Sequence, residues 1–115
     1  MDIETINGQR VAFYDGEPIA KEMDANDIIG ATYGLEVDVI AVPAQKFVDD
    51  FFWLSTGLAG AVLQKMQQYG FRFAVLGDIS RFTAESPSLR DFVYESNRRG
   101  QTLFLPDRAA LEARL

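Results

Sequence analysis

The side chains able to do chemistry in this sequence gather at two places. The first is Ser55-Thr56-Gly57, directly ahead of a helical pattern. A helix start leaves backbone N–H groups unpaired and carries partial positive charge. A hydroxyl there either caps the helix or sits beside an anion, including a phosphate attached to itself. The second is Asp78-Ile79-Ser80, at the end of an apolar run. Open α/β sheets place their ligand sites at the carboxyl ends of strands. Asp78 with Ser80, Asp49, Asp50 and Thr56 would make an acidic rim there, able to hold Mg²⁺ through oxygen ligands. Each place also has a structural reading, with Thr56 as a plain N-cap and Asp78 as the cap of a Gly77-Asp78 turn.

The missing residue types narrow the chemistry further. Histidine and cysteine are both absent, which removes the commonest general base, the thiol nucleophile and the ligands of transition-metal sites. One strand-end carboxylate is not a metal motif, so no metal site is assigned. Gly57, Gly60, Gly70 and Gly77 do not form a dinucleotide fingerprint, and no cofactor is expected. Gly57 and Gly60 are expected to let a helix approach the sheet closely. Phe51, Phe52 and Trp53 form a third group. Three adjacent side chains cannot share one face of a regular element, so this run reads either as core or as a surface for a partner or a second copy.

The elements that position these groups fit one domain spanning residues 1–115. A chain of this length buries roughly two-thirds of its unfolded surface and folds without metal or disulfide. The net charge of −6 argues against a nucleic-acid surface, which needs a basic face to displace counterions. Arg98-Arg99 is the one basic cluster and suits a helix C-terminus. The sequence opens Met1-Asp2-Ile3-Glu4, acidic where a signal peptide is basic and apolar. The apolar stretch from Phe51 to Leu63 is too short to span a bilayer. A cytoplasmic protein with no membrane partner is the expectation.

Ile3 and Thr5, then Val11 and Phe13, alternate around Asn7-Gly8 and predict a β-hairpin. Asp24 is placed as the cap of a helix carrying Ile28, Ile29, Thr32 and Leu35. The run from Val37 to Val42, stopped by Pro43, predicts a buried strand. Thr56–Tyr69 has helical spacing, with Leu58, Val62, Met66 and Tyr69 on one face and Gly70 as the stop. Residues 71–76 predict a second buried strand. Ser86-Pro87 opens a helix whose inner face is Leu89, Phe92 and Val93 and which ends at Gly100. Thr102–Leu105 is the last strand, and Pro106-Asp107 starts a C-terminal helix. The order β-β-α-β-α-β-α-β-α predicts an α/β fold with a mixed, mostly parallel sheet. The segments around Val39, Ala74 and Phe104 are expected to be parallel and central.

Three stretches carry a resemblance. They are Phe52 to Gly60 with Leu63-Gln64-Lys65-Met66 and Tyr69, then Ala74 to Asp78, then Ser88 to Asn97. Together they resemble a family of short bacterial proteins catalogued as domain of unknown function 4180. The order of elements is also similar to the STAS domain, the fold of bacterial anti-sigma-factor antagonists. That likeness implies a regulatory module in which a hydroxyl at the helix start is phosphorylated by a partner kinase, and it places Thr56 at the acceptor position. Leu54 stands where the STAS motif has aspartate, and the loop before it is longer.

The resulting expectation is a non-enzymatic, STAS-like module that binds another protein or itself, as a homodimer. Its alternative is a small-ligand or nucleotide binder, with weak hydrolysis, using the strand edge at Asp78 and the helix start at Thr56.

Overall fold

The computed structural model describes residues Met1–Leu115. Strands β1 (Asp2–Ile6) and β2 (Gln9–Phe13) pair antiparallel, with Ile6 opposite Gln9 and Glu4 opposite Val11. Asn7 and Gly8 both have positive φ, 51° and 82°, as a two-residue hairpin turn of type I′ requires. Helix α1 (Glu22–Ala31) follows. Asp24 is not its cap; it lies in the first turn, and its carboxylate reaches back to accept from the N–H groups of Ala20 and Lys21 at 2.8 and 3.1 Å. Leu35 lies beyond the helix and is exposed, because the helix ends at Thr32.

The remaining regular elements are β3 (Val39–Pro43), α2 (Leu58–Gln68), β4 (Arg72–Leu76), α3 (Ser80–Thr83), α4 (Pro87–Arg99), β5 (Thr102–Leu105) and α5 (Arg108–Arg114). Helix α4 has the expected boundaries. The Ser86 hydroxyl accepts from the Leu89 N–H at 3.1 Å, Pro87 takes the first turn, and Gly100 closes the helix at φ 84°. Helix α3 was not foreseen, since four residues are too few to show a period. Tyr69, expected on the inner face of α2, follows the helix and is 61% exposed. No helix is long and apolar enough to cross a membrane.

All five strands form one sheet in the order β1-β2-β3-β4-β5, with every pair after the hairpin parallel. Strand β5 is therefore parallel but at the edge, not central as expected. Right-handed crossovers between sequential strands carry their helices to one face. There Ile40, Val42, Phe73, Val75 and Phe104 pack with residues of α1, α2 and α4. The other face offers smaller side chains, Val11, Val39, Ala41 and Ala74, with Leu103, and Leu111 of α5 is fully buried against them. Arg108 pins α5 to the hairpin. Its guanidinium donates to both carboxylate oxygens of Glu4 at 2.7 and 2.8 Å, and lies 4.5 Å from the Phe13 ring centroid.

The free edge of β5 is closed by a side chain. Asn97 of α4 accepts from the Phe104 N–H at 2.7 Å and donates to the Phe104 carbonyl at 3.1 Å. This substitutes for a neighbouring strand and removes an edge that would otherwise invite pairing.

Candidate functional site

The carboxyl ends of β3 and β4 come together through one close approach. The chain leaves β4 at Gly77, with φ 147°, and a Cβ there would lie 2.9 Å from the Cβ of Ala44. Ala44 begins the first of three short 3-10 turns, Ala44–Lys46, Asp49–Phe52 and Leu54–Thr56, that connect β3 to α2. Between these turns and α3 lies a groove of about 560 Å³, lined by Asp49, Asp78 and Arg81 with Phe52 and Phe82 among its apolar walls. It occupies the strand-end position that the sequence assigns to Asp78.

The groove's charged groups are already engaged. Arg81 donates to Asp49 at 2.8 Å and lies 4.0 Å over the Phe82 ring. Phe82 is in turn stacked on Phe52, with centroids 4.6 Å apart. Asp78 accepts from the Ser80 N–H at 2.8 Å and so closes the turn that leads into α3, its structural reading, while Ile79 takes the N-cap position. The hydroxyl and the N–H of Ser80 hold the Asp78 carboxyl below the usual carboxylate range. Arg81 was missed because its pairing with Asp49 spans 32 residues, and no local spacing signals such a pair.

A lowered carboxyl pKa means that the folded state binds its proton less readily than the unfolded chain. The stabilisation is therefore complete above the unfolded value, near 4, and is lost as pH falls through the lowered folded value. Glu4 beside Arg108 and Glu95 beside Arg98 share this direction. Urea stability is expected to fall progressively below about pH 4, and Asp78→Asn should flatten part of that fall. An identical acid profile in the variant would contradict the assignment.

The structure does not gather the expected acidic rim. Asp49 and Asp78 share the groove, while Asp50 and Thr56 lie outside it and Ser80 lines an adjoining depression towards β5 that shares Asp78 with it. No three His, Cys, Asp or Glu side chains converge with metal-binding geometry.

Ser55, Thr56 and Gly57 are exposed at the start of α2. Thr56 is not the N-cap of α2 but the residue before it; its hydroxyl accepts from the Leu58 N–H at 3.3 Å, and also lies 2.6 Å from the Asp50 carbonyl and 2.9 Å from that of Trp53. It ties the Leu54–Thr56 turn back to the Asp49–Phe52 turn as a donor rather than capping the helix. Gly57 occupies the N-cap position itself, in the left-handed region at φ 80°. Neither Gly57 nor Gly60 approaches the sheet, since a Cβ on either meets nothing within 4 Å.

The aromatic run divides. Phe51 and Phe52 are 1% and 2% exposed and belong to the core, so neither is available as an interaction surface. Adjacent side chains can both be buried because Asp49–Phe52 is a 3-10 turn rather than a strand, so both rings enter one cluster with Phe47 and Phe82. Phe51 stacks on Phe47 at 3.9 Å and Phe52 on Phe82. Only Trp53 is half-exposed, edge-on to Phe82 at 5.2 Å, between the groove and the Ser55 turn.

No curated protein and no solved structure gives a significant match to this chain. Residues 7–115 match the domain of unknown function DUF4180, which spans the hairpin turn, the strand-end groove, the helix start at Thr56 and the closing helix. The chain belongs to the DUF4180 family.

Proposed function

We propose that the protein is a STAS-like regulatory interaction module whose partner, another protein or a second copy, docks on the rim formed by Ser55-Thr56-Gly57, Trp53 and the adjoining groove. The observation that carries this reading is the state of the groove's polar groups. Asp49 is spent on Arg81, and Asp78 on the start of α3. A general acid or base needs a free group with its pKa near the working pH, whereas Asp78 is held in the opposite direction. The sheet order and the exposed hydroxyl turn ahead of α2 support the STAS-like reading. The rival, a small-ligand or nucleotide site with weak hydrolysis, would have to take Arg81 from Asp49.

Within this proposal the acceptor hydroxyl is Ser55 rather than Thr56. Phosphorylating Thr56 would remove the proton it donates and set a dianion beside two carbonyl oxygens, at 2.6 and 2.9 Å. Ser55 is exposed, and its hydroxyl has no such duty.

Thr56→Ala is expected to cost about 1 kcal/mol in a denaturant melt, as loss of a side-chain hydrogen bond does, and Thr56→Ser close to nothing. Thr56→Asp should fall below the alanine variant, because a carboxylate cannot donate to Asp50. Ser55→Asp should melt like wild type yet lose self-association in sedimentation, or the partner that wild type captures from a bacterial lysate. If Ser55→Asp and Trp53→Ala both leave every association unchanged, the rim is not the docking surface. A thermal shift of several degrees with a nucleotide, with no association detected, would favour the rival.

A further inference from the structure

Helices α2 and α4 are separated by a second cleft, which runs towards the opposite, amino-terminal edge of β5. It measures about 330 Å³, within the range of small-molecule sites. Two helical stripes face each other across it. Gly60, Leu63, Gln64 and Gln67 line it from α2, and Phe92, Ser96 and Arg99 from α4. The spacings of three, four and seven residues put each set on one helix face. Thr102 reaches the cleft from the sheet.

Its chemistry is the reverse of the groove's. Gln64, Gln67, Ser96 and Thr102 line one cavity with side chains uncommitted to another protein group, whereas Gln101, also in the lining, donates its amide to the Phe71 carbonyl at 2.9 Å. Arg99 is the one charge in the lining, and no carboxylate joins it. The nearest, Glu95, holds Arg98 at 2.8 Å but Arg99 only at 3.8 Å, so Arg99 is loosely restrained. In a chain of net charge −6, a cleft whose only charge is positive selects for an anion.

A separate observation comes from Gly60. Its φ is not in the left-handed region, and a Cβ there would meet nothing within 4 Å. A glycine within a helix costs up to about 1 kcal/mol relative to alanine. Neither packing nor backbone geometry in this fold requires that cost. Its effect is to leave the α2 wall open to close approach.

We infer that the α2–α4 cleft binds a small hydroxylated organic anion. Arg99 takes the acidic group, the amides and hydroxyls take the ligand's own hydroxyls, and Leu63 with Phe92 supports its apolar face. A sugar phosphate and a hydroxycarboxylate share this chemistry.

Titrations of labelled protein followed by NMR test it, with glucose 6-phosphate and gluconate as probes and glucose and inorganic phosphate as controls. At least one probe should give saturable shifts at the Gln64 and Gln67 side-chain amides, with Kd about 1 mM or tighter. Binding of glucose 6-phosphate alone identifies a phosphate ligand, and binding of gluconate alone a carboxylate. Arg99→Gln should weaken binding at least about tenfold, equivalent to about 1.4 kcal/mol. Gly60→Leu should abolish it while melting no lower than wild type, since leucine is the better helix former. Thr102→Val removes one hydroxyl without filling the cleft and should weaken binding while leaving the cleft open. The inference is overturned if neither probe saturates by about 10 mM, if inorganic phosphate shifts the same amides equally, or if Arg99→Gln binds as wild type does. It does not depend on the Ser55 rim, because Ser55→Asp should leave these titrations unchanged.

Discussion

Replacing Phe52 with alanine is expected to destabilise the protein by about 3–5 kcal/mol, the cost of emptying a large aromatic site in a packed core. Phe52 is 2% exposed, stacks on Phe82 at 4.6 Å and meets Phe51 edge-on at 5.1 Å. Its removal opens a cavity below the strand-end groove. Domains of this size are typically stable by only 5–15 kcal/mol, so the variant should unfold at much lower urea concentration with its slope against denaturant unchanged. Phe52→Leu retains most of the volume and should recover a large part of the loss. The measurement also separates core from interface. A surface aromatic reserved for a partner would lose association while keeping its melt, and an unshifted urea midpoint would return Phe52 to that role.

Gly77→Ala is expected to be the most damaging conservative substitution in the chain. Two penalties act at once. The residue has φ 147°, a region that side chains rarely adopt, and the new Cβ would lie 2.9 Å from that of Ala44. Backbone strain and overpacking each cost about 1–3 kcal/mol, so the sum should be roughly 2–6 kcal/mol. A double-mutant cycle divides them. Ala44→Gly in the Gly77→Ala background removes the clash and leaves the strain, so it should recover part of the loss but not all of it. Full recovery would assign the whole effect to the contact. No recovery would assign it to the backbone, and a Gly77→Ala protein as stable as wild type would contradict the strand-end geometry.

Both results bear on the same feature, the packed end of the sheet on which the proposed rim stands. The aromatic cluster of Phe47, Phe51, Phe52 and Phe82 supports the 3-10 turns from beneath. Those turns in turn present Trp53 and Ser55. Loss of docking in any variant there is therefore interpretable only beside its melt.

The sequence by itself determined the elements whose causes are local. Asn7-Gly8 dictates the hairpin because few other pairs accept positive φ at both positions. Ser86-Pro87 and Gly100 bound α4 because cap, proline and left-handed stop act within one turn. Two buried apolar runs with helical patterns between them then leave little choice but a mostly parallel sheet. The place of Asp78 at a strand end followed from the same local logic.

Only the tertiary structure decided what the candidate groups touch. Asp49 meets Arg81 and Asn97 seals the backbone of Phe104 through contacts that no spacing rule encodes. The run Phe51-Phe52-Trp53 could not be assigned from sequence, because burial of successive residues depends on a short 3-10 turn that carries both rings into one core. Thr56 read as a cap from sequence, yet Gly57 takes that position and Thr56 donates to Asp50, since the direction of a hydroxyl proton is set by the carbonyls folded against it. Local chemistry marks an element's ends where cap and stop residues act within one turn, as at α4; which groups remain free to bind is fixed by long-range packing, which commits some polar side chains and leaves others unused.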